Sequence, residues 1–339
     1  MFSKKWSIPV VTLVLLLSLL LLNNTKPASA QTSKPVEISY VTFVPKMAPN
    51  MRYLRGILNK IEERSQGQLI FKHRGGPEAI PPFDQPMAAK AGAVDAAYIP
   101  AGYYAAMVPA AGLVNLSEIL PHQERKTGAY EFLQKLHERA GLHYVFREGG
   151  PPGSLFTMIT NKGFKKPQEL AGATMFGGSL WVTVGAALGM KTVMMNVMEG
   201  YSALERGLID VQCSSVDSFC AGKFWDVAKY VVQPTFATPS VMWVMNMKKW
   251  NSIPNHLQNL FADGIFELGP QWEAERGVRN KQQVQLMQNK GMKLIALTGA
   301  DAEWFLDRIN GAIYDFYVKK AGDDGPKLHS LQQKELLKR

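Results

Sequence analysis

Cysteine is scarce: Cys213 and Cys220 are the two in the 339-residue chain, too few for a disulfide-built scaffold. An even count permits one bridge, and two buried thiols fit the same pattern, because a seven-residue separation fixes no geometry. Zinc-type spacings are missing as well: there is no C-x-x-C and no H-x-x-x-H, and the six histidines are scattered. No G-x-S-x-G or H-E-x-x-H occurs, and Cys213 has no histidine near it in sequence. With no nucleophile beside a base, no carboxylate pair and no metal ligands, no catalytic residue, cofactor or metal is expected. Acidic residues are outnumbered 28 to 38 by Lys and Arg, a net charge of +10. The basic residues stand singly among acids, and clusters such as KELLKR read as solvated helix faces. Without a basic stripe interleaved with aromatics, nucleic acid is not an expected partner.

Long apolar runs are equally rare. The one example, Ile8 to Leu22, is shorter than the roughly 20 residues a spanning helix needs. Lys4 and Lys5 precede it and Ala28-Ser29-Ala30 follows, so residues 1–30 read as a signal peptide cleaved before Gln31. An uncleaved anchor is the other reading. Cleavage removes three lysines and no acid, leaving an exported, soluble chain of 309 residues and charge +7. That length suits two lobes, since single cores stop growing near about 250–300 residues.

A repeated pattern supports two lobes. Residues 88–96 read AAKAGAVDA and residues 203–211 read ALERGLIDV, both A-x-x-x-G-x-[VI]-D-[AV]. Each describes a helix ending at a glycine (Gly92, Gly207) able to turn left-handed, then a short strand with Asp95 or Asp210 near its start. ISYVTF (38–43) is a strand, and Met51, Leu54, Ile57, Leu58 and Ile61 recur at helical spacing after Asn50 as cap. LIFKH follows as a strand, giving a β-α-β unit and hence a parallel pair. Residues 127–140 form an amphipathic helix, HYVFRE (143–148) and VMWVMNM (241–247) are strands, and Pro254–Asn289 and Asp301–Lys319 are long helices. AGDDGP (321–326) ends the compact part, followed by a short helical tail. Arg147, on the HYVFRE strand, is expected to face solvent. The fold class is therefore α/β, two-lobed, with a mixed sheet in each lobe and long connecting helices. Lobe I covers residues 31–153 plus about 242–285, lobe II covers 154–241 plus about 286–325, and 326–339 form the tail.

The chain resembles the extracytoplasmic solute-binding proteins of tripartite ATP-independent periplasmic (TRAP) transporters, the DctP type, over nearly all of 36–320. GQLIFKHRGGPEAI, NKGFKKPQELAGATM, MEGYSALERGLIDVQ, KFWDVAKYV and MNMKKWNSIPNHLQ carry the resemblance by their order and spacing. It implies a periplasmic clamp that closes on one small organic ligand and delivers it to a TRAP-type membrane permease. A sensor presenting its ligand to a membrane receptor, or an enzyme on the same scaffold, would be the other classes. The family usually holds a carboxylate with an Arg in L-x-G-L-K-x-R-V; here the segment is LAGATMFGG and the position is Phe176. The auxiliary Arg position falls on Phe156, and the His position after the K-F-Y-E-V helix on Phe236. The Glu and Asn of the Q-E-N-P corner fall on Cys213 and Ser214.

Each expected charge has become apolar or small, which points away from an organic acid and toward a largely apolar or aromatic ligand. Phe176, at a strand end, is expected to line the pocket with Phe156 across from it. Ser179 and Trp181, at the start of the following helix, would form another wall. Tyr98 and Tyr103 would stand on the first lobe's side. Fifteen methionines remain after cleavage, with Met190, Met194, Met195 and Met198 close together, and Met adapts to irregular apolar shapes. Hinges are expected near 153–156 and 238–242, where the chain crosses between lobes.

Overall fold

A computed structural model of the chain describes residues 34–48, 51–149, 156–177, 179–194 and 199–338. The leader expected over 1–30, Asn50 as cap, the first crossing at 153–155, Gly178, Met195 and Met198 lie outside these. Among the described residues no helix is long and apolar enough to cross a membrane.

The first sheet takes its strands in the order β2-β1-β3-β10-β4, from β1 (Val36–Thr42), β2 (Leu69–Gly75), β3 (Ala96–Pro100), β4 (Leu142–Glu148) and β10 (Val241–Asn246). Helix α1 (Met51–Arg64) buries Met51, Leu54, Ile57, Leu58 and Ile61, the stripe its spacing requires. It returns the chain so that β1 and β2 pair in parallel. β10 is the antiparallel member, between β3 and β4, and all six of its residues are buried, as a two-sided central strand demands.

The second sheet contains β5 (Phe156–Thr160), β6 (Thr174–Gly177), β7 (Lys191–Met194), β8 (Val211–Ser215), β9 (Tyr230–Gln233) and β11 (Lys293–Ala296). Its order, β7-β6-β8-β5-β9-β11, repeats the first sheet and adds β11 at the edge. β5 takes the antiparallel place that β10 holds in lobe I. Each lobe thus receives its antiparallel strand immediately after the chain has crossed from the other.

The repeated nine-residue pattern does the same work in both lobes. Helix α2 (Gln85–Ala91) stops at Gly92 (φ 80°), and Gly207 (φ 66°) follows the helix before β8; both are left-handed positions that favour glycine. Asp95 Oδ2 then accepts the Ser39 N–H at 2.8 Å, while Asp95 N–H donates to the Ser39 carbonyl at 3.0 Å. In lobe II, Asp210 Oδ2 accepts the Thr174 N–H at 2.8 Å and Asp210 N–H donates to the Thr174 carbonyl at 2.8 Å. The aspartate carbonyls accept from Asn246 N–H (2.9 Å) and Asn161 N–H (3.1 Å). In each lobe the aspartate satisfies the backbone donor one residue before the neighbouring strand begins to pair with its own strand, at Tyr40↔Ala96 and Met175↔Val211.

Helix α9 (Asn255–Asn289) has 35 residues and packs on α1 in lobe I and, farther on, on α7 (Val216–Ala221) in lobe II. Helix α10 (Gly299–Ala321) also spans both lobes. It contacts the 3₁₀ segment Pro109–Leu116 of lobe I and α5 (Ser179–Ala187) of lobe II.

Two expectations are corrected. The compact body does not end at 326: helix α11 (Asp324–Leu331) packs on the Pro109–Leu116 segment, and Leu328 and Gln332 are fully buried. Nor does Arg147 face solvent. It lies on an edge strand, but the helical turn α3 (Glu124–Thr127) and the tail close over it, and its guanidinium pairs with Glu124 at 2.5 Å in full burial. Both cysteines are free, Cys213 buried and Cys220 half-buried, and burial pushes both thiols up, Cys220 to about 11.

Helix α4 (Ala129–Arg139) and β4 bury two histidines whose pKa values burial lowers to about 4: His137 and His143. Neutral His137 fits its surroundings, with the Leu133 carbonyl at 2.7 Å from Nδ1 and the Tyr104 hydroxyl at 2.9 Å from Nε2. His143 stacks on Trp250 at 4.1 Å. Their folded pKa lies below the unfolded value, so their contribution is complete above about pH 6.5 and is lost as pH falls toward 4. Each should remove roughly 1.4 kcal/mol of stability per pH unit inside that window. Urea unfolding at pH 7.0 and 5.0 checks this, and His143→Phe should flatten the pH dependence; an unchanged slope in that variant would refute the assignment.

Candidate functional site

The ends of the two sheets that face each other are fixed by the crossings. β4 ends at Glu148 before the first crossing and β5 begins at Phe156 after it; β9 ends at Gln233 before the second and β10 begins at Val241. On the lobe II side the terminal residues are therefore Phe156, Gly177, Ser214 and Ser215. On the lobe I side they are Thr42, Gly75, Pro100 and Glu148. Such strand ends are where open α/β sheets place ligands.

Phe156 forms an isolated bridge with Phe236 and stands in edge-to-face contact with Trp181, ring centroids 4.6 Å apart. Trp181 is 6.3 Å from the Phe236 ring, and Phe236 is 5.8 Å from Phe305 on α10. From lobe I, Phe43 lies 6.4 Å from Tyr103 and 6.0 Å from Tyr98. Phe43, Tyr103, Phe156, Leu180 and Trp181 all border one continuous apolar cluster that runs between the lobes. Phe83, 68% exposed, stacks on the outer side of Tyr103 at 4.6 Å.

The residues expected at the site separate by sheet face. Cα partners across a ladder share a face, and faces alternate along a strand. Phe156 pairs with Ser215 and Phe176 with Gln212 on the same strand β8. The offset is three residues, an odd number, so the two rings project from opposite faces. Phe156, Met158, Met175 and Cys213 share the face beneath α10 and α5. Phe176 and Ile159 share the other, packed with Leu204, Val216 and Phe219, and Phe176 is 1% exposed. The single wall of Phe156 facing Phe176 is thus replaced by a trio of Phe156, Trp181 and Phe236, with Phe176 enclosed behind the sheet. Ser214 is half-buried on the Phe176 face, Cys213 is buried against Met158, and Ser179 begins α5.

The lobe I wall is not neutral beneath its rings. Tyr98 is buried and donates its hydroxyl to Glu148; burial, together with Glu148, holds the phenol well above its usual pKa. Burial also raises the Glu148 carboxyl, opposed by Arg276 of α9 at 3.6 Å. Arg276 pairs with Glu273 too, and one turn farther Arg279 pairs with Asp217 of lobe II while lying 5.1 Å above the Tyr53 ring of lobe I. Sequence reasoning missed Phe43, Glu148 and the two arginines. Phe43 was legible as the last residue of its strand, whereas the arginines sit on a helix whose path across both lobes has no local signal.

Two α/β lobes with crossed strands, and a seam where aromatic rings of both lobes border one apolar cluster, are the architecture of a solute-binding protein. Residues 40–320 match the family model described as DctP, bacterial extracellular solute-binding protein, family 7, and the chain belongs to this family. Among solved structures it is similar to a TRAP periplasmic solute-binding protein from Desulfovibrio salexigens with bound orotic acid. The TM-score is 0.77 at 19% identity, covering 89% of this chain and 99% of that one. A Bordetella pertussis extracytoplasmic solute receptor binding pyroglutamic acid gives a TM-score of 0.71 at 16% identity, covering 88% and 99%. At such identity the likeness shows the fold. An uncharacterized protein of Haemophilus influenzae is 25% identical over 162 residues, which is 47% of this chain and about half (48%) of that relative.

Proposed function

We propose that this protein captures a small, uncharged and largely apolar or aromatic organic molecule between its lobes in the periplasm and delivers it to a TRAP-type permease. The observation that carries the reading is the aromatic seam, with Phe156, Trp181 and Phe236 on one side and Phe43 and Tyr103 on the other. The nearby cations support it: Arg276 and Arg279 are already engaged by Glu148, Glu273 and Asp217. A buried carboxylate facing such walls would carry a desolvation cost of several kcal/mol, without the bidentate fork that offsets it. A flat apolar ring instead gains about 25 cal/mol per Å² buried, with edge and stacking contacts besides. The solved relatives described with orotic acid and pyroglutamic acid hold acids; in this chain the position where the family resemblance expects a carboxylate-binding Arg is Phe176.

Closure pivots about a short span. Phe236 exchanges both backbone hydrogen bonds with Phe156 of lobe II, while Thr238 N–H donates to the Asn115 carbonyl of lobe I at 2.7 Å and Ser240 N–H to its Oδ1 at 3.1 Å. Ala237 lies between these anchors at φ 44°, a strained position for a non-glycine residue.

Native mass spectrometry of protein purified without refolding should reveal a bound small molecule. With that molecule at saturation, small-angle scattering should give a smaller radius of gyration than for the ligand-free protein. Trp181→Ala should weaken its binding at least tenfold, about 1.4 kcal/mol, by calorimetric titration. A co-purifying dicarboxylate, or wild-type affinity in Trp181→Ala, would overturn the reading.

A further inference from the structure

The long helix α9 changes character between the lobes. Leu257, Phe261 and Ile265 root its first half in the lobe I core, and Met287 roots its last turns in the lobe II core. Between these anchors its buried positions are Glu273, Arg276 and Asn280. Burying ions where the neighbouring stretches bury hydrocarbon is unfavourable unless the charges are paired. The polar stretch falls where the helix passes from one lobe to the other.

Arg279 stands at that passage. Its Nη2 donates to Asp217 Oδ1 of α7 in lobe II, and its Cζ lies 5.1 Å from the ring centroid of Tyr53, on α1 of lobe I. Tyr53 is buried, and the Arg279 and Asp217 side chains are 18% and 16% exposed, so salt and water screen these contacts less than surface ones. A guanidinium gains from an aromatic face only within about 6 Å. Separating α1 from α7 therefore pulls Arg279 off the ring or away from its carboxylate. The surrounding charges act in the same direction. Burial raises the Glu148 carboxyl of lobe I, and Asp217 of lobe II adds to the rise. Arg276 is held by Glu148 and Glu273, which leaves Arg279 as the cation that answers Asp217. We infer that Arg279 is a clasp on lobe closure: held by Asp217 of lobe II, it grips the Tyr53 face of lobe I. It acts on the open–closed equilibrium and on no ligand contact, so its loss lowers affinity by one common factor whatever the cleft holds.

The test reads lobe separation directly in protein dialysed free of ligand, so its outcome is independent of the aromatic-cleft reading. Spin labels go on Asn59→Cys of α1 and Ser202→Cys of α6 (Glu199–Glu205), both exposed positions. Cys220→Ser leaves only the buried Cys213 thiol besides them. Double electron–electron resonance of this parent protein should show a population at short distance. Arg279→Met, Asp217→Asn and Tyr53→Leu should each reduce that population by at least about threefold. Distances unchanged in Tyr53→Leu would confine Arg279 to a contact within lobe II and overturn the inference, as would a distribution that none of the variants alters. If Tyr53→Leu fails to fold, Arg279→Lys decides the same point. Lysine keeps the charge for Asp217 and gives up the planar group over the ring, so it too should lengthen the distance, and an unchanged distribution would again sink the clasp.

Discussion

Replacing Phe176 with alanine should lower the melting temperature of the ligand-free protein by on the order of 10 °C. The ring is 1% exposed and packs with Ile159, Leu204, Val216 and Phe219 on the face of the lobe II sheet away from the aromatic trio. Truncating such a phenylalanine removes its transfer free energy and leaves a cavity, together about 3–5 kcal/mol. For a domain of this size each kcal/mol moves the midpoint by roughly 2–4 °C. A phenylalanine lining the pocket, as the strand-end position of Phe176 suggests, would instead lose mainly ligand affinity. Calorimetric scanning and titration of the same variant separate the two. A melting temperature within 2 °C of wild type, accompanied by weakened binding, would return Phe176 to the pocket wall. Phe176→Arg should be worse still for stability, since a guanidinium would enter an apolar cluster without a carboxylate to meet it.

The contrast shows where local sequence stops being informative. Helix α1 and strands β1, β2, β4 and β10 were legible because one-sided or two-sided burial writes a period into the chain. The repeat around Asp95 and Asp210 was legible because its chemistry is local in effect: a glycine to end the helix and a carboxylate to cap a strand. Which face Phe156 and Phe176 occupy was not, because it depends on the parity of their offset along β8, and neither strand encodes the other's register. The fate of Arg147 was hidden for a different reason. It lies on an edge strand, and what covers it comes from Glu124, 23 residues away, and Gln332, 185 residues away. The full burial of Gln212, its amide without a hydrogen-bond partner among the described residues, is equally hidden, since a glutamine in a short strand looks like any polar residue on an exposed face.

Arg147→Met should destabilise the protein by about 3–5 kcal/mol, because it strands the buried Glu124 carboxylate. The guanidinium spends all of its donors inside the molecule. Nε donates to Glu124 Oε1 at 2.5 Å and Nη1 to the Gly149 carbonyl. Nη2 donates to Ser117 Oγ (3.0 Å), the Ile119 carbonyl (3.2 Å) and Gln332 Oε1 (3.2 Å). Nη1 also reaches Ser240 Oγ at 3.4 Å. Gly149 lies where the first crossing leaves lobe I and Ser240 where the second returns, so one side chain ties both crossings to the body of the lobe. Glu124 completes the knot by accepting from the Tyr144 hydroxyl (2.9 Å) and Gln332 Nε2 (3.1 Å). A double variant, Arg147→Met with Glu124→Leu, should recover much of the loss, since it removes both charges and leaves apolar groups in their place. Deleting residues 332–339 should cost less, about 1–3 kcal/mol, by withdrawing one amide from each ion. Urea unfolding of the three variants orders these effects. If Arg147→Met unfolded within 1 kcal/mol of wild type, or the double variant were the least stable of the three, the buried pair would not be what holds the crossings together.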